Sequence, residues 1–351
     1  MLPTSGRRTG RVRASLAALA TLALLAAGTS CATDTADEEP AADQRKSQLD
    51  EQCQDDAVVV PSLPDLAPVS EGSGKTKVAT DFGDVELPVA PKAALGMYTT
   101  DVDMLVWLRY PLAGSQPIRG DSGYQTFPCF FPRAQLAKVS TFANFPEYDY
   151  ESVLLAEPDF ILNGLGYDKK VVKRLPQIAP TYSVDAFDGE AWVTHFEETA
   201  KALDRTEYYE DWKTLYDDRV EEVKAKIDDP AALTVAPVGY WDDNFQTGCS
   251  SGVMCQVFAD LGLTIAPTSL MNDRRGEELS GEQLGRLDGV DYAFMTRGLG
   301  AKEEKVFDQT LAKAAKNPLW KTLDFVEKDQ IIGYEMEMTY GSPSVARRKF
   351  V

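Results

Sequence analysis

Between Asp204 and Ile227 the chain reads DRTEYYEDWKTLYDDRVEEVKAKI, and this stretch decides the fold. Trp212, Leu215, Tyr216, Val220, Val223 and Ile227 recur at helical intervals. Asp204 and Glu207 stand at a capping-box spacing, and Asp228-Asp229-Pro230 ends the run. The pattern predicts one helix of about 24 residues, roughly 36 Å long at 1.5 Å per residue. It lies near the middle of the part of the chain that reads as folded, and it is long enough to pass from one lobe to another.

The segments on either side of this helix echo each other. Before it come Tyr150-Glu151-Ser152-Val153-Leu154, then Pro158 to Leu162, then Asn163-Gly164-Leu165-Gly166. After it come Gly281-Glu282-Gln283-Leu284, then Val290 to Met295, then Gly298-Leu299-Gly300. Each set is a helix start bearing Glu, a short apolar strand and a Gly-rich loop. Further upstream, Gly83 to Val89 alternates polar and apolar as a half-buried strand does, and Ala93 to Gly96 reads as a parallel strand feeding a loop. The expected fold class is therefore α/β, with two Rossmann-like lobes (residues 78–200 and 231–351) joined by a single long backbone helix within 201–230.

At the N-terminus, Arg7, Arg8, Arg11 and Arg13 precede an apolar run from Ala14 to Ala27. That run is too short to span a bilayer as a helix, which takes about 20 residues, so residues 1–30 read as a signal peptide. Gly28-Thr29-Ser30-Cys31 resembles a bacterial lipobox, with Cys31 as the lipidated first residue of the mature protein and Gly28 where Leu is usual. Ordinary cleavage, with Cys31 left for a disulfide, is the alternative. Residues 31–77, rich in Asp, Glu, Pro and Ser, read as an acidic tether. Setting Cys31 aside leaves Cys53, Cys129, Cys249 and Cys255, an even set for an oxidising compartment. Three pairings are open. Cys249 with Cys255 closes the shortest loop, and Cys53 with Cys129 would then pin the acidic arm to the first lobe.

Composition excludes several functions. With 55 acidic against 36 basic side chains among 351 residues, a net charge of -19, the chain is ill suited to bind nucleic acid. The single His195 rules out a poly-His site and disfavours zinc or manganese as cargo. His195 itself reads as a packed or surface residue of an amphipathic helix. Gly248-Cys249-Ser250-Ser251-Gly252 matches a nucleophile-elbow pattern, but a polar stretch precedes it and no His follows it, so a disulfide-closed loop is the better reading. No catalytic set emerges, and the chain is not expected to be an enzyme.

The strands through Gly83–Pro91, the Tyr150–Leu162 unit with its Glu-Pro-Asp, its Gly281–Met295 echo and the passage Asn317-Pro318-Leu319-Trp320 leading to Ile331-Ile332 together resemble the helical-backbone (class III) substrate-binding proteins of ABC importers. The resemblance covers about Val78 to Val351. It implies a monomeric receptor, lipid-anchored on the extracytoplasmic face of the cell membrane. Such a receptor carries a ferric siderophore, with no covalently bound cofactor, to a permease and through it to an ATPase. It also implies docking on that permease through one Glu of each lobe, which falls here on Glu151 and Glu282. Cobalamin, haem or another chelate remains the alternative cargo, with Tyr98, Tyr240 or Tyr340 as candidate haem ligands. An extracellular enzyme or cell-wall module on the same scaffold is the third reading.

Ligands of two-lobed α/β proteins bind at the carboxyl ends of strands. The candidates in the first lobe are Tyr98, Asp101, Trp107, Arg109 and Tyr110, then Tyr124 in an aromatic loop. In the second lobe they are Tyr240, Trp241 and Asp242, then Arg297, then Tyr334 and Tyr340. Aromatic faces with a few Arg suit a bulky metal chelate. Tyr334, Met336 and Met338 alternate with Glu335 and Glu337 and also fit the buried face of a strand. Asp101, Asp103, Asp242 and Asp243 share these loops, so a neutral or cationic hydroxamate chelate is expected in preference to a tri-anionic catecholate.

Overall fold

The computed structural model describes residues 73–122, 124–249, 253–267, 277–298, 300–339 and 343–344. The described part of the first lobe opens with an antiparallel hairpin, β1 (Lys75–Val78) and β2 (Val85–Pro88). Then follow β3 (Ala94–Gly96), α1 (Thr99–Trp107), β4 (Ser115–Arg119), β5 (Ser140–Phe145), α2 (Tyr150–Leu155), β6 (Phe160–Asn163) and β7 (Thr181–Ser183). Strands β3, β6 and β7 form one parallel sheet, and β4 and β5 form a parallel pair. Every residue of β3 and β6 is buried, as expected of parallel strands covered on both faces. A Cβ on Gly96 would lie 2.4 Å from the Val102 backbone nitrogen, so only glycine lets α1 start so close to β3. Asp101 locks that start by accepting the N–H of Tyr98 (3.0 Å) and the N–H of Gly164 (3.0 Å), which follows β6.

The central helix forms, but it is shorter than its periodicity predicts. After α3 (Trp192–Ala202), Asp204 adopts the left-handed region (φ 55°), and α4 runs from Thr206 to Lys224, 19 residues. The Asp204–Glu207 capping box does not form, because the N-cap is Arg205, whose guanidinium packs over the Tyr110 ring at 4.7 Å. At the far end the N–H groups of Lys226 and Ile227 turn back to the carbonyls of Val223 and Lys224. Tyr208, Tyr209, Trp212 and Tyr216 form the buried face, and Trp212 lies within 5.1–5.7 Å of Phe196, Trp192, Tyr216 and Tyr209 ring to ring. On the outer face, Lys213 pairs with Asp217 and Arg219 with Glu222, contributions of a few tenths of a kcal/mol each.

The second lobe holds β8 (Thr234–Trp241), β9 (Asn244–Thr247), α5 (Val253–Asp260), β10 (Thr264–Ile265), β11 (Glu277–Leu279), β12 (Tyr292–Arg297), α6 (Gly300–Ala314) and β13 (Ile331–Glu335). The strand order is β11-β9-β8-β12-β13, with β10 also on β8. Strands β10, β8, β12 and β13 run parallel, while β9 and β11 are antiparallel additions. Asp242 and Asp243, both at positive φ (51° and 61°), make the two-residue turn from β8 to β9, so Trp-Asp-Asp-Asn is a hairpin and not an open loop. Trp320 stacks on Phe245 at 5.3 Å in the core of this lobe. The Cys249–Cys255 disulfide joins the end of β9 to α5, with Cα atoms 5.4 Å apart. The echoed helix exists, but as a 3-10 helix over Gly281–Leu287.

Tyr216 of α4 donates its hydroxyl hydrogen bond to Asp260 at the end of α5. A second crossing stands beside this one. After β13 a 3-10 turn (Met336–Thr339) carries Met338 into the core of the first lobe. Ser344 then donates its N–H and hydroxyl to the two oxygens of Asp103 (2.7 and 2.5 Å) and accepts from the Trp107 indole (3.0 Å). The Trp212 indole donates to the Pro343 carbonyl at 3.0 Å. The described residues accordingly belong to one compact unit.

Trp212→Ala is expected to destabilise the protein by about 3–5 kcal/mol, whereas Trp241→Ala, at a side chain 73 % exposed, changes stability by less than about 0.5 kcal/mol. Urea-denaturation midpoints at constant slope check both. Burial raises the Asp101 carboxyl from 3.8 to about 7, against the lowering effect of the N–H bonds it accepts. Its folded-state value lies above its unfolded one, so the stability it contributes is fully present below pH 4 and is lost as pH rises to about 7. Denaturation between pH 4 and 8 is expected to show wild type losing stability relative to the non-titrating Asp101→Asn as pH rises to about 7; a pH-independent difference contradicts it.

Candidate functional site

The parallel strands of the first lobe end at Gly96, Arg119, Phe145, Asn163 and Ser183, and the long parallel strands of the second end at Trp241, Arg297 and Glu335. On the second lobe these ends form a continuous edge. Register sets Tyr334 level with Thr296 and Glu335 level with Arg297. The Arg297 side chain crosses Gly333, where a Cβ would lie 2.9 Å from Arg297 Cδ. Tyr240 and Tyr334 are half-buried, and Trp241, Asp242 and Arg297 are exposed. The Tyr240 hydroxyl donates to Asp243 at 3.0 Å, and its ring rests on Phe245 at 4.9 Å.

The first-lobe candidates fare differently. Trp107 is buried in the core and held by Ser344, because all of α1 is buried, so its indole presents no open face. Asp101 and Asp103 are likewise buried and spent on Tyr98, Gly164 and Ser344. Tyr98 is a core residue, edge-on to Phe145 and Phe187. Arg109 (φ 61°) and Tyr110 lie after α1 has run back along the sheet, at its opposite edge. There the Tyr110 ring meets Phe160, the first residue of β6, at 5.4 Å and borders a cavity of about 440 Å³ under the β1–β2 hairpin. Helix geometry explains the reversal: a helix that follows a parallel strand returns the chain to the strand's starting edge. Tyr340, Cys31 and Cys53 lie outside the described residues, as do the signal peptide and nearly all of the tether. Cys129 is buried and disulfide-bonded, and His195 is buried with Nε2 2.9 Å from Asp188.

Sequence reasoning missed a charged cluster where the two lobes' strand ends meet. Arg119, the last residue of β4, makes a bidentate pair with Asp121 (2.7 Å on both arms), lies 5.2 Å above the Phe145 ring, and has its Nε 3.5 Å from Oε1 of Glu337. Strand β13 stops at Glu335, so the expected alternation breaks and the two glutamates turn inward. Glu335 Oε1 accepts the Glu337 N–H at 2.9 Å. Burial pushes Glu337 up to about 8; Arg119 opposes this, while Glu335 and Asp121 add to it. Arg119 holds Asp121 below the usual carboxylate range. Tyr124 is buried against Glu335, and burial plus that charge raise its phenol well above normal. The legible signal was Arg119-Gly120-Asp121 directly after the apolar Pro117-Ile118.

Glu151 and Glu282 are both exposed, each in the first turn of its short helix. Asp149 caps the first by accepting the Ser152 N–H (2.9 Å), and Ser280 with Gln283 forms a capping box at the second. Leu154 and Leu155 are exposed beside Glu151, and Glu282 borders a groove of about 880 Å³ with Lys313, Lys316 and Leu319. Among the described residues no helix is long and apolar enough to cross a membrane, and no cluster of three or more His, Cys, Asp or Glu side chains suits a metal ion.

Known proteins share this architecture. The chain is 26% identical over 187 residues to the Fe(3+)-citrate-binding protein YfmC of Bacillus subtilis, a match covering 53% of this chain and 56% of that protein, so it spans just over half the length of that relative. The fold is similar to that of Staphylococcus aureus SirA, crystallised with staphyloferrin B (TM-score 0.59, 22% identity, 77% of this chain and 92% of that one). It is also similar to Staphylococcus aureus FhuD2 with bound ferrioxamine B (TM-score 0.56, 18% identity, 73% and 94%). Residues 98–337 match the family described as periplasmic binding protein, a span that starts before α1 and ends within the turn that buries Glu337. With two α/β lobes, a helical connector and this match over most of its length, the chain belongs to the periplasmic binding protein family.

Proposed function

We propose that the protein is an extracytoplasmic receptor that captures a ferric siderophore, preferably a hydroxamate, and delivers it to the permease of an ABC importer. The observation that carries this reading is the pairing of an aromatic edge (Tyr240, Trp241, Tyr334) with a predominantly acidic set of strand ends in a chain of the binding-protein family. Asp101 and Asp103 drop out of the charge argument because they are buried and bonded, but among the described strand ends Asp121, Glu335, Glu337, Asp242 and Asp243 outnumber Arg119 and Arg297. A tri-anionic catecholate would meet like charge there, whereas a neutral or cationic hydroxamate would not. The aromatic faces and Arg297 supply apolar contact and charge-assisted hydrogen bonds.

In this reading Glu151 and Glu282 dock the two lobes on permease Arg residues, as exposed carboxylates in matching helix starts. Cys31 carries the lipid anchor. Two crossings between the lobes favour small closure on binding.

Titration of the full chain with ferric hydroxamate, ferric catecholate, cobalamin and haem, read by tryptophan fluorescence, is expected to give submicromolar saturation by the hydroxamate. Tighter binding of the catecholate would overturn the charge argument, and saturation by cobalamin or haem alone would reassign the cargo. The double variant Glu151→Ala/Glu282→Ala is expected to keep ligand affinity and abolish uptake; unchanged uptake removes the docking role.

A further inference from the structure

The cavity of about 440 Å³ under the β1–β2 hairpin lies at the starting edge of the first sheet, away from the strand ends that carry the candidate chelate site. Val78, Leu87, Phe160 and Leu203 give it an apolar wall, and the first turn of α4 enters it at Arg205, Thr206 and Glu207. Arg205 is only 7 % exposed, its guanidinium lies 4.7 Å above the Tyr110 ring, and its Nε has no hydrogen-bond partner. Among the described residues no carboxylate forms an ion pair with it. As the N-cap residue it provides no side-chain cap, so the N–H groups that open this 19-residue helix keep their positive potential. A cation at that end has the wrong sign for the helix dipole, and stacking on a ring offsets only part of the cost of burying a guanidinium. Both features call for a carboxylate. Asp204 and Glu207 also line the cavity and are exposed, so they would repel a simple anion and attract an ammonium.

We propose that this cavity is a second ligand site, for a small zwitterion of the amino-acid type with an apolar side chain. Its carboxylate pairs with the Arg205 guanidinium and the opening N–H groups of α4. Its ammonium meets the Asp204 and Glu207 carboxylates, and its side chain lies on Val78, Leu87, Phe160 and Leu203. The volume is in the range of small-molecule sites, and Tyr110 already holds Arg205 in place, so little ordering accompanies binding. The inference does not depend on the receptor reading, because the site joins the hairpin, the start of β6 and the start of α4 rather than the strand ends.

The test is calorimetric titration of the full chain with L-leucine, with L-leucinamide, which lacks the carboxylate, and with N-acetyl-L-leucine, which lacks the ammonium. L-Leucine is expected to saturate with a Kd below about 1 mM, and each analogue to bind at least about tenfold more weakly. Arg205→Gln is expected to abolish L-leucine binding. Because Arg205 is buried, a second variant blocks the cavity from its exposed side: Thr76→Trp on the hairpin leaves the core intact and is expected to abolish binding as well. Failure of L-leucine to saturate wild type, equal binding of either analogue, or binding that persists in Thr76→Trp overturns the inference.

Discussion

Asp103 is a carboxylate buried in the middle of α1, and the chain has to travel from the second sheet back to the first lobe to satisfy it. Both its oxygens accept from Ser344, whose hydroxyl also receives the Trp107 indole. An unpaired carboxylate there would cost at least the 1–3 kcal/mol of an unsatisfied buried polar group, and more for its charge. The same return carries the Pro343 carbonyl to the Trp212 indole, so one segment clamps α1 and α4 together. The aromatic cluster of Trp192, Phe196, Tyr209, Trp212 and Tyr216 packs beneath that clamp.

The clamp also shapes the candidate site. Because β13 must leave its sheet to reach Ser344, it ends at Glu335, and the turn that follows tucks Glu337 against Arg119. A strand that continued would have set those glutamates on alternating positions of one ladder. The acidic character at the strand ends is thus a consequence of how the chain closes its fold, and it places charge at the edge that carries Tyr240, Trp241, Arg297 and Tyr334.

Burial rearranged the charges that matter. Four aspartates once shared the candidate loops, yet Asp101 and Asp103 became hydrogen-bond acceptors for backbone and Ser344, while Asp242 and Asp243 became a tight turn. The proposed preference for a neutral or cationic cargo therefore rests on other residues. A short polar side chain beside a helix start serves a cap, a turn or a ligand equally well by type, and only its neighbours decide among them.

Local pattern was enough to read the two lobes, the central helix and the echoed helix–strand units, because hydrophobic periodicity and capping act within a few residues of one another. It also marked Cys249 and Cys255 as an easy pair and Glu151 and Glu282 as matching helix-start carboxylates. It overran the helix at both ends, since the left-handed Asp204 and the burial of Arg205 under Tyr110 depend on a partner nearly a hundred positions away. It misplaced Arg109 and Tyr110, since spacing does not say at which edge of a sheet a returning helix leaves the chain. The sequence by itself determined the fold class and the elements. Only tertiary packing decided which charges are buried, because burial is set by contacts such as Asp103 with Ser344 and Arg119 with Glu337, whose partners lie more than two hundred residues apart along the chain.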